Sequence, residues 1–559
     1  MISVVAFKKV LEMPWFMRIK EGVTNMTLIR KEAFRVSKNI AQKKVERKRK
    51  LINRRRRIQW RLRDRQWADQ TRPMFTASNI QYELADRVRG LGPGGIGAMH
   101  LLARGTGLID AIDRRLHLLK VHLPYHESDH VLNMAYNLLA GGTCLEDIEL
   151  WRNDEVYLDA LGAQRIPDPT TAGDFCRRFA ETDVEILMSA INDVRVKVWQ
   201  QQPAEFLEEA IIEGDGTMAE TTGECKQGMD INHKGQWGYQ PLLISLANTA
   251  EPLYLVNRRG SRPSHEGAAA RFDQAIALCK QAGFKRVLLR GDTDFTQARH
   301  LDGWHGAGVR FIFGIDAKKN LVEIAESLGN KAWKPLRRDA KYTVKTVPRE
   351  RPVNVKEAIV QARGFVNIRL VSEEVAEFDY APGQCRRSYR IVVLRKNLSI
   401  ERGELALFDD VRYFFYITNH RSMTASGIVR SANDRCDQEN LIKQLKSGAR
   451  ALQVPVDNLV SNWAYMVMAS LAWTLKAWFA LLLPERGRWK QKHGKEKATV
   501  LRMGFKRFVN AFVRVPCQVV RSGRRLVYCL LAWNPWQHVF LRGVDALRTM
   551  TIWRHPLRC

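Results

Sequence analysis

Two aspartates stand at the ends of short apolar runs, where their carboxylates could bind a metal ion. Asp215 ends the run "AIIEGD", and Asp292 ends the run "RVLLRGD". If these runs are neighbouring strands of one sheet, the two carboxylates lie side by side, and ionising both is costly unless a divalent cation lies between them. Oxygen ligands beside small residues, here Gly214, Gly216 and Gly291, are typical of Mg²⁺ sites, because Mg²⁺ keeps several waters and binds phosphate oxygens.

A third carboxylate is expected from Glu439, which lies in a helical pattern between Ser422 and Gly448. Arg435 precedes Glu439 by four residues and Lys446 follows it by seven, so the three side chains share one helix face. Together the three acids would hold two metal ions about 4 Å apart, which clamp the attacking and leaving oxygens of an in-line phosphoryl transfer. The two basic residues would then contact the DNA backbone.

Three further residues are candidates for a role at or near this site. Lys443 lies on the same helical segment as Glu439 and is a further candidate for DNA contact. Asp294 begins a predicted helix, where an Asp often serves as N-cap, so we expect it to cap the helix or to support the metal ligands from behind rather than to bind metal itself. Asp316, at the end of the run "VRFIFGID", is a weaker candidate ligand.

The segment around these acids has the pattern of a mixed sheet. "AIIEGDGT", "GYQPLLISLA" and "PLYLVNRR" predict three strands, and two helix–strand pairs follow, with the strands "RVLLRGD" and "VRFIFGID". A three-stranded meander followed by two crossovers gives a mixed five-stranded sheet with helices on its faces. This is the order of a ribonuclease H-like fold, an α/β class in which the first and fourth strands lie side by side.

Composition and pattern divide the whole chain into six regions. We predict a basic arm at 1–75, a helical DNA-binding or dimerisation region at 76–205, the first part of the catalytic core at 206–316, a β-rich insertion at 317–412, the second part of the core with the Glu helix at 413–483, and a basic C-terminal region at 484–559.

The charge of the chain indicates a polyanionic partner. The formal net charge is +31, and Lys and Arg are concentrated in the first 75 residues and after residue 483. Such a field favours nucleic acid first and an anionic membrane surface second. Arg54, Arg55, Arg56 and Arg57 form the densest basic cluster, and we expect them to contact DNA phosphates; the alternative is a solvated tail.

One stretch, from Leu459 to Pro484, is long and apolar enough to span a membrane. Asn462, Thr474 and Lys476 interrupt it, so a buried helix is the preferred interpretation. The N-terminus lacks the pattern of a signal peptide. Nine cysteines without a CxxC pair or zinc-ligand spacing indicate the reduced thiols of a cytosolic protein.

These motifs resemble those of bacterial insertion-sequence transposases of the DDE class, in the subgroup with a β-strand insertion domain between the second Asp and the Glu. "EGDGT" matches the strand that ends in Asp, a small residue and Thr, and "RGDTDF" matches the pattern RxDxxF. Arg435, Glu439 and Lys446 fit the signature of Tyr, two residues, Arg, three residues, Glu, six residues, Lys. Ala432 replaces the Tyr, so a DNA contact made by that Tyr is not expected here. The resemblance covers about residues 125–540.

The resemblance implies a reaction and its partners. Such an enzyme binds the terminal inverted repeats of its element, hydrolyses the phosphodiester at each end with two Mg²⁺ ions or with Mn²⁺ as a substitute, and joins the 3′-hydroxyl ends to target DNA. It would act as a homodimer in a synaptic complex and would not bind a membrane. It would work in the bacterial cytoplasm, at the nucleoid. Two alternatives stay open: a catalytically inactive, transposase-derived DNA-binding protein, and a metal-dependent nuclease or resolvase on the same fold. A third and weaker alternative is a membrane-surface protein built on residues 459–484.

Overall fold

The structure, a computed structural model, forms two compact units. The first unit comprises residues 1–88 and 530–538, and its described part includes a helical segment at 45–56. The second unit comprises residues 89–529 and 539–559. Across both units the described residues are 45–56, 89–122, 124–338, 366–402, 405–522, 525–531 and 533–550, with the single positions 42, 59 and 362.

The elements that follow the first helical segment are numbered in chain order. The helices are α1 (Ile96–Gly105), α2 (Leu108–Arg115), α3 (Glu127–Ala140), α4 (Ile148–Arg152), α5 (Glu155–Leu161), α6 (Pro169–Arg177), α7 (Glu181–Gln200), α8 (Ala268–Ala282), α9 (Ala298–Gly306), α10 (Lys319–Ser327), α11 (Ala425–Asn433), α12 (Cys436–Lys443), α13 (Leu459–Leu481), α14 (Lys490–Leu501), α15 (Phe505–Phe508) and α16 (Gln537–Thr549). The strands are β1 (Gly90–Leu91), β2 (Glu209–Gly216), β3 (Ala219–Glu220), β4 (Asp230–Ile231), β5 (Trp237–Tyr239), β6 (Leu242–Leu246), β7 (Glu251–Val256), β8 (Arg286–Gly291), β9 (Arg310–Ile315), β10 (Lys334–Pro335), β11 (Val366–Tyr380), β12 (Tyr389–Arg402), β13 (Leu405–Thr418), β14 (Cys517–Ser522) and β15 (Arg525–Leu530).

Five strands form the core of the main sheet in the order β7-β6-β2-β8-β9. β6 is antiparallel to both β2 and β7, whereas β8 runs parallel to β2 and to β9. The helices α8 and α9 supply the two crossovers, and α8 packs on β2, β6, β7 and β8. A meander followed by two parallel strands in this order confirms the predicted ribonuclease H-like α/β fold, with its first and fourth strands adjacent.

The strands of the insertion continue this sheet instead of forming a separate one. β13 pairs antiparallel with β9, β12 with β13, β11 with β12 and β10 with β11, so that the sheet has nine described strands. The predicted boundary between residues 412 and 413 lies inside β13, because one strand serves both regions. The predicted strand "KYTVKTVP" lies outside the described residues.

Two smaller three-stranded sheets accompany the main sheet. One has the order β1-β14-β15 and joins the start of the helical region to the C-terminal region; the other has the order β3-β5-β4 and directly follows β2. Neither was predicted: β1, β3, β4 and β5 have only two or three residues, too few to show an alternating pattern, and β14 and β15 lie in the region that was interpreted from its basic charge alone.

The segment that carries Glu439 is not the single long helix that its periodicity predicted. α11 ends at Asn433, α12 begins at Cys436, and a π-helical turn, Gln444–Gly448, follows α12. The break falls at Asp434 and Arg435. It follows Asn433 and includes Asp434, residue types whose short polar side chains compete for backbone hydrogen bonds and weaken a helix.

The apolar stretch from residue 459 forms α13, which is long and apolar enough to cross a membrane by length and composition. Its membrane-like window is 100% buried in the protein, which confirms the prediction of a buried helix. α13 packs against α1, α3, α6, α7, α14 and β7. It therefore joins the helical region to the edge of the main sheet.

Lys476 is buried within α13 at 0% relative exposure. Its Nζ donates a hydrogen bond to the Leu501 carbonyl oxygen at 2.6 Å and lies 3.8 Å from the centroid of the Trp473 ring. Burial lowers the pKa of Lys476 to about 7, although the negative charge of Glu251 opposes this shift.

Replacing Lys476 with Met should remove a pH dependence of stability. An unfolded Lys keeps its proton up to about pH 10.4. Above about pH 7 the unfolded state therefore binds more protons than the folded state, so raising the pH stabilises the wild type, by up to about 1.4 kcal/mol per pH unit. Melting temperatures measured between about pH 7 and pH 9 test this prediction. The melting temperature of the wild type should rise relative to that of Lys476→Met as the pH rises. Parallel profiles would show that Lys476 does not titrate in this range.

Candidate active site

Asp215 and Asp292 lie at the ends of adjacent parallel strands. Glu213 of β2 is in register with Arg290 of β8, and the acids lie two residues further along each strand. Asp292 directly follows β8, and its Oδ1 accepts a hydrogen bond from the Asp294 backbone N–H at 3.1 Å. The parallel pairing thus places the two predicted acids at one edge of the sheet.

Arg435 brings the three predicted acids together. Its Nη1 lies 3.6 Å from Asp215 Oδ2 and 3.4 Å from Asp292 Oδ2. Its Nη2 lies 3.6 Å from Glu439 Oε1. Nη1 is buried and makes no hydrogen bond among the described residues, so Arg435 is held here by ion pairs alone. Arg435 was expected to face the DNA backbone, but here its guanidinium group lies among the carboxylates.

The electrostatics of this cluster favour binding of a cation. Burial raises the pKa of Asp215 to about 7, with the charges of Asp292 and Glu439 adding to the effect and that of Arg435 opposing it. Burial also raises the pKa of Asp292, again against the effect of Arg435. A single guanidinium therefore leaves the negative charge of the cluster undercompensated.

The donor set fits a hard divalent cation. All its ligand atoms would be carboxylate oxygens, which Mg²⁺ and Mn²⁺ prefer. The Glu439 side chain is 61% exposed, so it can turn toward a cation without unpacking the core. Asp215, Asp292 and Glu439 could therefore hold metal in place of their present contacts with Arg435.

A buried ion pair supports the two strands beneath this cluster. Arg290 Nη2 lies 2.7 Å from Glu213 Oε1, and their side chains are only 5% and 1% exposed. Arg290 Nη1 also donates to the Ser431 carbonyl oxygen of α11 at 2.9 Å. Because side chains two residues apart share one face of a strand, this pair lies on the same face as Asp215 and Asp292. Sequence reasoning missed the pair; the signal was an acid and a base at matching positions in "EGD" and "RGD".

Gln438 fixes the helix that carries Glu439 to the sheet. Its Oε1 accepts a hydrogen bond from Ser245 Oγ, and its Nε2 donates to the Leu243 carbonyl oxygen at 3.3 Å. Both partners belong to β6, the neighbour of β2. This buried amide was also missed, because nothing in the sequence pairs it with β6.

The glycines beside the acids have a different role from the one predicted. A Cβ atom on Gly214 would lie 2.7 Å from Phe272 Cζ, and one on Gly291 would lie 2.7 Å from Phe295 Cβ. These two glycines make room for aromatic rings of the core, where any larger side chain would clash. The prediction that they make room for a hydrated metal ion was wrong.

The remaining candidates belong to different elements. Lys443 is exposed on α12, whereas Lys446 is half-buried in the π-turn. Burial lowers the pKa of Lys446, and the negative charges of Glu220 and Asp215 oppose this shift. Asp294 is exposed in a short 3-10 turn and does not cap α9, whose N-cap is Gln297, so the predicted cap was wrong. Asp316 is exposed after β9, and Ala432 packs on the core from α11. In the basic cluster of the first unit, Arg54, Arg55 and Arg56 lie in the helical segment 45–56, and Arg57 lies outside the described residues.

A second group with metal-ligand chemistry lies at the start of α3. His122, His126 and Glu127 have ligand atoms within 4.8 Å of one another. Glu127 already accepts hydrogen bonds from the Leu118 and Leu119 backbone N–H groups, and its Oε2 lies 3.0 Å from His122 Nε2. These contacts tie a loop to the helix and account for the buried carboxylate without a cation.

Comparison with known proteins identifies the family. The chain matches the family described as transposase DDE domain group 1 over residues 92–552. No curated protein is significantly similar to it. Among solved structures the chain is similar to the cryo-EM structure of the piggyBac transposase synaptic complex with hairpin DNA. The sequence identity is 10% and the TM-score is 0.33, over 76% of this chain and 84% of that chain. This likeness is too remote to assign a role to any residue. Because the family match spans most of the sequence, the protein belongs to the transposase family with a DDE domain, group 1.

Proposed function

We propose that this protein is an active transposase that cleaves the ends of a bacterial insertion sequence and joins them to target DNA. The observation that carries the proposal is the convergence of three carboxylates on one guanidinium group at the edge of the main sheet. The three acids come from β2, from the residue after β8 and from α12, and the family match supports their use in DNA cleavage.

Asp215, Asp292 and Glu439 would hold two divalent cations, Mg²⁺ or its substitute Mn²⁺. Bound there, the cations would activate the attacking oxygen and stabilise the leaving oxygen of an in-line phosphoryl transfer. The carboxylates would fix the positions of the cations that bind the reacting phosphate, and Arg435 would neutralise part of the carboxylates' charge in the absence of cations. Arg435 would then be released toward the DNA backbone, the role that its position in the family signature implies.

The reaction would take place in two phosphoryl transfers. In the first, a water oxygen attacks the phosphorus at each element end, and the bond from phosphorus to the 3′ oxygen breaks, leaving a 3′-hydroxyl and a 5′-phosphate. In the second, that 3′-hydroxyl oxygen attacks a phosphorus of target DNA and releases the target's own 3′-hydroxyl. In each step the proton of the attacking oxygen passes to solvent and the leaving oxygen takes one up, so no covalent bond to the protein is needed.

The DNA partners would be the terminal inverted repeats and the target. Lys443, Lys446 and the basic cluster Arg54, Arg55, Arg56 and Arg57 would contact phosphates, which supply affinity without reading sequence. Pairing of two ends would require a homodimer in a synaptic complex, acting at the bacterial nucleoid in the cytoplasm.

A cleavage and joining assay tests the proposal. The protein is mixed with a target plasmid and with DNA carrying the element's own ends, labelled at the 5′ end of the strand whose 3′-hydroxyl is freed. Reactions contain Mg²⁺ or EDTA, and the wild type is compared with Glu439→Gln. Mg²⁺-dependent cleavage followed by joining to the plasmid, both lost in Glu439→Gln while end binding persists, is the expected result.

The other outcomes would contradict the proposal in distinct ways. Cleavage without joining would indicate a nuclease or resolvase on the same fold. Tight binding without cleavage by the wild type would indicate a DNA-binding protein derived from a transposase. Equal cleavage by Glu439→Gln would remove Glu439 from the site.

A further inference from the structure

A basic cavity of about 190 Å³ lies beside the segment that follows Glu439. One wall is the π-turn after α12, and the other wall is the start of α15. Gln444 Oε1 joins the two walls by accepting a hydrogen bond from the Phe505 backbone N–H at 2.8 Å. The lining residues are Gln444, Ser447, Gly448, Gly504, Lys506 and Arg507.

Glycine permits the close approach of these two walls. A Cβ atom on Gly448 would lie 2.9 Å from Gln444 Oε1 and 3.2 Å from Phe505 Cβ. A Cβ atom on Gly504 would lie 3.2 Å from the same Gln444 oxygen. Side chains at either position would disturb the Gln444 bridge, so the cavity depends on two glycines that are distant in sequence.

The charge of the cavity suits an anion. Lys506 and Arg507 are both exposed, and neither forms an ion pair within the part of the chain that the structure describes. No Asp or Glu belongs to the lining. The Ser447 hydroxyl on the same wall donates its hydrogen to the Lys443 carbonyl oxygen at 2.8 Å, so Lys506 and Arg507 supply the attraction for an anion. Two unpaired cations at a concave surface raise the local concentration of anions, and phosphate is the anion that arginine binds with two parallel hydrogen bonds.

The backbone around the cavity is irregular in a way that indicates function. A π-helical turn is rare and often marks a functional site, and here it occupies residues 444–448. Two residues later Arg450, which is not a glycine, has a φ of +54°, a strained conformation for its residue type. The surrounding fold must hold this shape, which places Ser447 and Gly448 at the cavity.

The position of the cavity relative to Glu439 indicates which part of the DNA it would bind. Ser447 lies eight residues after Glu439 along a nearly continuous helical run, a distance of about 12 Å at 1.5 Å per residue. One strand of duplex DNA has a phosphate about every 3.4 Å along its axis, so this distance corresponds to about three or four nucleotides.

We propose that the cavity between the π-turn and Lys506–Arg507 binds one DNA backbone phosphate, about three or four nucleotides from the bond cleaved at Glu439. This inference rests on the proposed function for the position of the DNA. The contact fixes the DNA strand relative to the carboxylates and carries no sequence information.

Fluorescence anisotropy with labelled duplexes tests the charge of the cavity. Lys506→Ala combined with Arg507→Ala should weaken binding about tenfold, and equally for an element-end duplex and an unrelated duplex of the same length, because phosphate contacts do not depend on sequence. The slope of log affinity against log salt should fall by about one to two. The control is Lys331→Ala with Lys334→Ala, which removes the same charge from exposed positions at and beside the edge strand β10.

A neutral phosphate tests the position. A methylphosphonate placed at each phosphate in turn should weaken wild-type binding most at about three or four nucleotides from the cleaved bond. The same substitution should have little further effect on the double variant. Circular dichroism checks that the variants fold, and Ser447→Glu, which adds an anion to the cavity wall without removing a cation, should also weaken binding.

Two results would overturn the inference. One is equal weakening by the cavity variant and by the Lys331–Lys334 control, which would show that only net charge matters. The other is a methylphosphonate profile that is the same for the wild type and the double variant. Either result would leave the carboxylate site untouched, because metal-dependent cleavage and its loss in Glu439→Gln are measured separately.

Discussion

Asp215→Asn and Asp292→Asn should each lower the rate of DNA cleavage by about a thousandfold or more while the protein still binds DNA. Loss of one carboxylate removes a cation ligand from a site whose cations stabilise the transition state by several kcal/mol, and about 4 kcal/mol corresponds to a thousandfold in rate. Neither variant should unfold, because burial raises the pKa of both carboxyl groups and a neutral amide relieves that cost. Single-turnover cleavage of end DNA measures the rate, and anisotropy measures binding.

Asp294→Asn is the matched control for this experiment. Asp294 is exposed two residues after Asp292; its backbone N–H donates to Asp292 Oδ1, and its negative charge adds to the raised pKa of Asp292. The same chemical change there should leave cleavage within about threefold of wild type, as for an exposed residue outside the site. If Asp294→Asn were inactive and Asp292→Asn active, the ligand assignment at this strand end would be reversed.

Arg290→Ala should destabilise the second unit by about 3–5 kcal/mol, since it leaves Glu213 buried without its partner. The change also removes the hydrogen bond to Ser431, so α11 loses a tie to β8. Melting temperature, read by circular dichroism, should fall by about 3–5 °C, because the entropy of unfolding of a unit this large is about 1 kcal/mol/K. Glu213→Gln in the Arg290→Ala background should recover part of the loss, because the uncompensated charge is removed.

Arg286→Ala provides the control on the same strand. Arg286 is 47% exposed and lies 3.5 Å from Glu209 and 3.7 Å from Glu208, contacts that are worth at most about 1 kcal/mol at a surface. A similar fall in melting temperature for both arginine variants would mean that the buried pair has no special role in holding β2 to β8.

The strand order was predictable from the sequence because each core strand is a short apolar run with clear ends. Val287, Leu288 and Leu289, for example, are all buried in β8, as expected for a strand covered on both faces. The adjacency of Asp215 and Asp292 then follows from the order of the strands alone. Helix periodicity likewise indicated that Glu439 belongs to a helix near this edge.

The contacts inside the site could not be predicted in the same way. Where Arg435 points depends on the break between α11 and α12, which a 3.6-residue period does not reveal. The pairing of Glu213 with Arg290 depends on strand register, and the role of Gly214 depends on Phe272, which is distant in sequence. The sequence pattern showed the insertion only as a β-rich region, because the residues of β13 and β9 do not reveal that these two strands pair with each other.

Iron-mediated cleavage of the protein itself tests the central claim most directly, because it shows where a divalent cation binds without requiring DNA. Fe²⁺ bound in place of Mg²⁺ generates hydroxyl radicals that cut the backbone near its ligands when ascorbate and peroxide are added. The carboxylate site predicts cuts near Asp215, Asp292 and Glu439, all suppressed by excess Mg²⁺ and lost in Asp215→Asn. Cuts confined to the neighbourhood of His122 and His126, or cuts that persist in Asp215→Asn, would contradict the assignment of these three acids as the metal site.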